Sequence, residues 1–160
     1  MTVPLPRYDR PYRSAVQATE WLPFVIRAIE THEELAEVIA LRKRAYGRHL
    51  GDLPASWSDP EPDDLRPDAV LLAARCKETG ELLGSVRLIC NARTPLPLEA
   101  SVALPRRLQG QHLLEASRLA IVPGVKGVRL VHAIVKACFE MAYHCGQDFV
   151  VVTARRPVDR

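Results

Sequence analysis

An α/β chain of the α+β kind, with a mixed central sheet flanked by helices in the order β-α-β-β-β-α-β, is what this sequence predicts. Three observations predict it. Two β-rich runs meet at Glu78-Thr-Gly-Glu81, where Gly80 marks a hairpin turn. The apolar run Leu113 to Val122 feeds a glycine-punctuated loop, a helix-spaced segment and then Asp148-Phe-Val-Val-Val-Thr153, the order of a parallel βαβ unit. With 160 residues there is enough chain for one domain that buries most of its apolar surface.

Each element follows from a local signal. Residues 1–20 carry arginines and prolines with no continuous apolar stretch, which predicts a flexible tail rather than a secretory signal. The domain is expected over residues 21–160. Leu22 to Glu30 is β-rich and predicts the first strand. Thr31-His-Glu-Glu34 has the form of a capping box, and Leu35, Val38, Ile39, Leu41, Arg42 and Tyr46 follow at helical spacing, so a helix is expected to about Tyr46. Residues 47–67, rich in Pro, Asp and Gly, predict a long loop, and such loops are usually functional or disordered. Trp57 within it is either a plug over a ligand pocket or a side chain tucked onto the core. Val70 to Cys76 and Leu82 to Cys90 predict the hairpin strands. Leu98 to Leu108 is ambiguous, with a short helix as one reading. Leu113 to Val122 is expected to be the central strand. Val128 to Cys145 predicts a helix with Val131, Ile134, Val135, Cys138, Met141, Ala142 and Cys145 on one face, and Gly146 as its stop.

Composition narrows the class. No apolar run approaches the ~18 residues that span a bilayer, so no membrane span is expected. The four cysteines, Cys76, Cys90, Cys138 and Cys145, show no C-x-x-C spacing. They read as free thiols in a reducing cytoplasm, with no metal expected. Net charge is +3, but residues 1–100 carry 13 Lys and Arg against 15 Asp and Glu, while residues 101–160 carry 9 against 4. The basic half holds the glycine loop, which suits an anionic partner there. That scattered charge, without interleaved aromatics, does not predict nucleic-acid binding.

The most informative residues lie in Leu113-Leu-Glu-Ala-Ser-Arg-Leu-Ala-Ile121. Charged groups are costly to bury without partners, so a strand that keeps Glu115 and Arg118 is expected to use them. A regular strand places Glu115 and Ser117 on one face and Arg118 on the other, so a Glu115–Arg118 contact would need a bulge. The bland alternative is that Glu115 pairs with Arg87 or Arg118 and only holds the sheet in register. Arg42 and Arg44 fit a solvated helix face as well as a site. His132 and His144 fall on the polar side of their helix and are expected in solvent.

These residues carry a family resemblance. Leu114-Glu-Ala-Ser-Arg-Leu119 resembles the E-x-S-R-hydrophobic signature of acyl-homoserine-lactone synthases and FeeM-type long-chain N-acyl amino acid synthases, which have the GNAT fold. Leu41-Arg-Lys-Arg-Ala-Tyr46 is similar to the family's R-x-x-x-aromatic helix end. Asp63 and Asp68 resemble its acidic loop, with Arg66 where a second acid is usual. Thr79-Gly-Glu-Leu-Leu-Gly-Ser-Val-Arg-Leu88 resembles its hairpin. The resemblance covers about Phe24 to Thr153, and it implies a further helix and strands that the 160 residues do not supply.

The resemblance implies transfer of an acyl group from a carrier-protein or coenzyme A thioester to an amine, with no tightly bound cofactor. Glu115 would be the base or the amine anchor, and as base a partly buried carboxylate has its pKa raised towards what proton transfer needs. Arg87 and Arg118 would organise the site, and Arg42, Tyr46, Asp63 and Ser117 would line the amine side. Backbone N–H groups at Ile121 and Val122 would face the oxyanion. Gly124, Lys126, Gly127 and Arg129 would seat the donor's phosphate at the helix N-terminus. The usual coenzyme A loop resembles Q/R-x-x-G-x-G/A. Gly124 stands here in the basic position and Arg129 in the small one, which tilts the donor towards acyl carrier protein. The basic residues Arg106, Arg107, Lys126 and Arg129 would face that acidic partner. A coenzyme A-dependent acetyltransferase and a non-catalytic thioester-binding module are the alternatives.

Overall fold

The computed structural model describes residues 22–50, 59–123 and 128–152. Its strands are β1 (Phe24–Ala28), β2 (Ala69–Cys76), β3 (Leu82–Cys90), β4 (Leu113–Ile121) and β5 (Phe149–Val152), and its helices are α1 (His32–Leu50) and α2 (Val128–His144). Short 3-10 turns occupy Pro62–Leu65, Pro97–Ala100 and Arg106–Leu108. The strands form one sheet in the order β1-β2-β3-β4-β5, antiparallel except for the parallel β4–β5 pair. The mixed sheet and element order are those expected. The middle strand is β3 rather than β4, because β5 is the last strand beside β4 among the described residues.

Local chemistry explains the ends of α1. The Thr31 hydroxyl accepts the Glu34 N–H at 3.2 Å. The Glu34 carboxylate accepts the N–H of Glu30 rather than of Thr31, at 2.8 Å, so the capping pair is shifted by one residue. The helix runs past Tyr46 to Leu50, which shortens the expected loop. The ambiguous 98–108 stretch resolves into two 3-10 turns instead of a helix, consistent with Pro97 at one start and Pro105 just before the other.

The two sheet faces differ in kind. Val70, Leu72, Val86, Leu88, Cys90 and Leu114 pack against Leu130, Ile134, Cys138 and Ala142 of α2 in a continuous apolar layer. On the other face α1 covers Leu71 and Ala73 with Leu35 and Val38. The 97–100 turn closes the far end of that face, burying Leu96 and Leu98 against Ala69, Ile89 and Leu113. Between these two apolar patches lie charged side chains. Cys90 and Cys138 are buried, whereas Cys76 and Cys145 are half-exposed, and all four are free thiols. Burial pushes the Cys138 thiol up to about 11, so it stays protonated. His132 and His144 are exposed, as expected.

Candidate active site

Pairing register builds the site. Residues opposite one another across a sheet share a face, and here Leu71, Arg87 and Ser117 form one row. The next row on that face is Ala69, Ile89, Glu115 and Val151. Arg87 and Glu115 therefore lie one row apart, between α1 and the 97–100 turn.

The register slips between Ser85 and Arg87, where β4 carries one extra residue, and Arg118 takes a left-handed φ of 55°. This is the bulge that a contact by Arg118 on this face requires. Its partner is Glu61, not Glu115: the Arg118 Nε lies 2.8 and 3.1 Å from the two carboxylate oxygens of Glu61. The Tyr46 hydroxyl donates to the carbonyl of Leu119 at 2.7 Å, which fixes the bulge from the α1 side. A left-handed non-glycine residue is strained, and here two anchors hold it.

Behind Arg118 the charges go deeper. Arg87, 1% exposed, donates from Nη1 to Glu61 at 3.2 Å and to Asp64 at 3.1 Å, and from Nε to the Ser117 hydroxyl at 3.3 Å. Its Nη2 lies 3.7 Å from Asp63. Arg42, 3% exposed, reaches the same Asp64 oxygen at 2.7 Å. The other Asp64 oxygen accepts the Glu61 N–H at 3.1 Å, so the 62–65 turn itself presents these acids. Burial lowers the pKa of Arg42 despite Asp64, while Glu61 raises that of Arg118. Both stay charged.

Three guanidinium groups thus meet three carboxylates, and Glu115 is a fourth acid. It is 3% exposed, and one oxygen accepts the Leu98 N–H at 2.9 Å. Burial raises its pKa above the ordinary carboxylate range, opposed by that N–H and by the charge of Arg87. The simple register pair with Arg87 or Arg118 is not what forms, because those arginines are taken by Glu61, Asp63 and Asp64.

The structure brings together Arg42, Tyr46, Asp63, Arg87, Glu115, Ser117 and Arg118. It moves the weight of the acidic loop from Asp63 and Asp68 to Glu61 and Asp64. Asp63 sits at the rim, and Asp68 pairs with Arg66. Sequence reasoning did not single out Glu61 or Asp64. The acid doublet Asp63-Asp64 after Pro62 was the visible signal, but only the turn decides which of two neighbouring acids points inward. Arg42 is a site residue, whereas Arg44 is exposed.

On the donor side one expectation is corrected. The Val122 N–H is occupied by the Leu83 carbonyl at 2.9 Å. Antiparallel pairs alternate between bonded and non-bonded, so the N–H of Ile121, opposite Gly84, faces away from β3. Register pairing of β5 stops with Val152 opposite Ala116, among the described residues, which leaves Ser117–Ile121 without a β5 partner. Gly124, Lys126 and Gly127 lie outside the described residues, as does Trp57. Arg129 is exposed in the first turn of α2. An open groove of about 530 Å³ lies elsewhere, on the outer side of α2 along His132, Val135, Lys136, Phe139, Glu140 and Tyr143.

The mixed sheet has the topology of the GNAT fold, with a buried carboxylate on β4. The family model for the N-acyl amino acid synthase FeeM matches residues 37–158, and the chain belongs to that family. The solved structure of FeeM, an N-acyl amino acid synthase from uncultured soil microbes, aligns at a TM-score of 0.69 with 17% identity, over 85% of this chain and 73% of that one. AAC(6')-Iy in complex with the bisubstrate analog CoA-S-monomethyl-acetylneamine aligns at 0.60 with 12% identity, over 85% and 82%. Ribosomal-protein-alanine N-acetyltransferase from Brucella melitensis biovar Abortus 2308 aligns at 0.55 with 18% identity, over 85% and 83%. At these identities the likenesses establish the fold. No curated protein matches the chain by sequence. No described helix is long and apolar enough to cross a membrane.

Proposed function

We propose that the enzyme transfers a long-chain acyl group from a carrier-protein thioester to the amine of an amino acid. The observation that carries this reading is the Glu115 carboxyl group: buried, raised in pKa, accepting the Leu98 N–H, and placed one row from Arg87 on β4. Glu115 takes the proton from the substrate ammonium through a water chain, because it is buried and stands six residues along β4 from Ile121. The free amine attacks the thioester carbonyl. The Ile121 N–H, on the edge facing away from β3, donates to the developing oxyanion. Collapse of the tetrahedral intermediate breaks the C–S bond, and the thiol leaves with a proton. Arg118, the half-exposed end of the charged cluster, faces the acceptor, with Tyr46 and Ser117 beside it and Arg42 and Asp63 supporting it.

The carrier-protein donor is favoured by Arg129, a bulky side chain where a coenzyme A loop has a small one. Exposed Arg106 and Arg107, with Lys126 and Arg129, supply charge for an acidic partner. Free thiols and a thioester donor fit a cytoplasmic setting. The second reading is a coenzyme A donor, favoured by the fold's likeness to AAC(6')-Iy, solved with a CoA-linked bisubstrate analog. The test is to offer long-chain acyl carrier protein or acyl-coenzyme A with a pool of amino acids, and to detect N-acyl products by mass spectrometry. Product from the carrier-protein donor that is lost in Glu115→Gln supports the proposal. Product from acyl-coenzyme A alone replaces the donor, and product that survives Glu115→Gln removes the base.

A further inference from the structure

Arg66 departs from the family's acidic-loop pattern, and the structure gives it partners on both sides of the site. Its Nε and Nη2 form a two-pronged bond to Asp68, each at 2.9 Å. Nη1 donates to the Pro95 carbonyl at 3.1 Å, and Nη2 reaches the Thr94 hydroxyl. Asp63 lies 3.8 Å from Nη1. The Thr94 hydroxyl closes the loop by donating to Asp68 at 3.3 Å.

These contacts join two walls of the site that are far apart in sequence. One wall is the 62–65 turn, which carries the acids for Arg42 and Arg87. The other begins at Thr94 and reaches, four residues later, the Leu98 N–H that meets Glu115. Between them Leu96 is 1% exposed, and its N–H donates to Glu99 at 2.7 Å, so the segment transmits the position of its Thr94–Pro95 end.

We propose that Arg66 is a positioning residue for Glu115: by tying the 62–65 turn to Thr94 and Pro95, it holds the Leu98 N–H against the Glu115 carboxylate. The inference rests on the reading of Glu115 as the base. The consequence is a set basicity. Burial pushes Glu115 up, and the Leu98 N–H holds it back. The other charged groups that face Glu115 are Arg87 from β3, Arg118 from β4 and Asp63 from the 62–65 turn, whereas β5 presents Val151. Asp63 also stands 3.8 Å from Arg66, so Arg66→Lys, which keeps a charge beside Asp63 but cannot grip Thr94 and Pro95, isolates the Leu98 contact.

The test is to titrate Glu115 in the full chain by carbon-13 carboxyl NMR, with the signal assigned through Glu115→Gln, alongside the pH profile of turnover. Arg66→Ala and Arg66→Lys are both expected to raise the Glu115 midpoint by about half a unit or more, since lysine keeps the charge but not the fork. The acid limb of turnover moves with it. Thr94→Val, which leaves the Arg66–Asp68 bond in place, moves the midpoint less and in the same direction. Arg93→Ala, an exposed neighbour, leaves it unchanged. An Arg66→Lys chain that titrates like the parent overturns the proposal, because charge alone would then suffice. An unmoved midpoint in Arg66→Ala overturns it too, and if that variant does not fold, an unmoved Thr94→Val does so. A midpoint that shifts while turnover ignores Glu115 keeps the Arg66 coupling and removes the base assignment instead.

Discussion

Arg118 reaches Glu61 with its Nε 2.8 and 3.1 Å from the two carboxylate oxygens, although the two residues stand 57 positions apart. The bulge in β4 makes the contact possible, and the contact in turn holds the bulge. Side-chain exposure falls from 39% at Arg118 to 11% at Glu61, 2% at Arg87 and 0% at Asp64. The cluster therefore runs from a solvent-facing arginine to a fully buried acid. Such an arrangement fixes where Arg118 sits while its guanidinium stays reachable.

Removing Glu61 leaves Arg118 and the buried Arg87 without a shared acceptor. Glu61→Ala is expected to cost about 3 kcal/mol, as buried pairs do when one partner is lost. Urea denaturation measures it. Glu61→Gln keeps the volume and is expected to lose less stability, with turnover still reduced.

Tyr46→Phe removes one hydroxyl and its bond to the Leu119 carbonyl. The stability loss is expected to be about 1 kcal/mol. Turnover is expected to fall further, by roughly tenfold, because the bulge that aims Arg118 loses its α1 anchor. A variant that loses stability but keeps full turnover would show that the hydroxyl has no part in aiming Arg118.

Glu115→Gln separates stability from chemistry. In the folded chain Glu115 keeps its proton to a higher pH than its ordinary 4.5, so the native state holds the proton more tightly than the unfolded chain. Stability from this group is present below 4.5 and falls as the pH rises through the raised value. Glutamine removes that loss, so Glu115→Gln is expected to be at least as stable as the parent at pH 7 and to gain nothing in acid. Turnover is expected to drop by about 10²- to 10⁴-fold. Thermal unfolding across pH, with product assays, checks both halves.

Gly84→Ala tests the packing at the far end of β4. An added Cβ would lie 2.7 Å from Ile121 Cδ1, 3.1 Å from Ile134 Cδ1 and 3.2 Å from the Ala120 carbonyl oxygen. The isoleucine ends can turn, but the backbone oxygen cannot, so a cost of about 1–3 kcal/mol is expected. Donor affinity is expected to weaken as well, because Ile121 carries the N–H assigned to the oxyanion. Calorimetry and donor titration measure the two.

The legible part of this protein was the part set by short-range pattern. Alternation and apolar runs placed five strands within a residue or two of their ends, and helical spacing found α1 and α2. Glu115 and Arg118 were legible because charge inside a β-rich run conflicts with burial, and Arg87 through the resemblance of its hairpin. Glu61 and Asp64 were not, since in a Pro- and Asp-rich stretch an acid is unremarkable until something buries it. The 98–108 stretch hid its role for another reason. The functional group there is the backbone N–H of Leu98, which every residue but proline possesses.

The order of side chains along each strand by itself determined which charged residues would have to find partners in a sheet. Which partners they found was decided in three dimensions. One extra residue in β4 turns Arg118 onto the face of Arg87, and a 3-10 turn swings Asp64 inward past Asp63. Both choices depend on contacts between segments that meet only after the sheet and α1 have closed around them, where an unpaired buried charge is costly enough to select one arrangement.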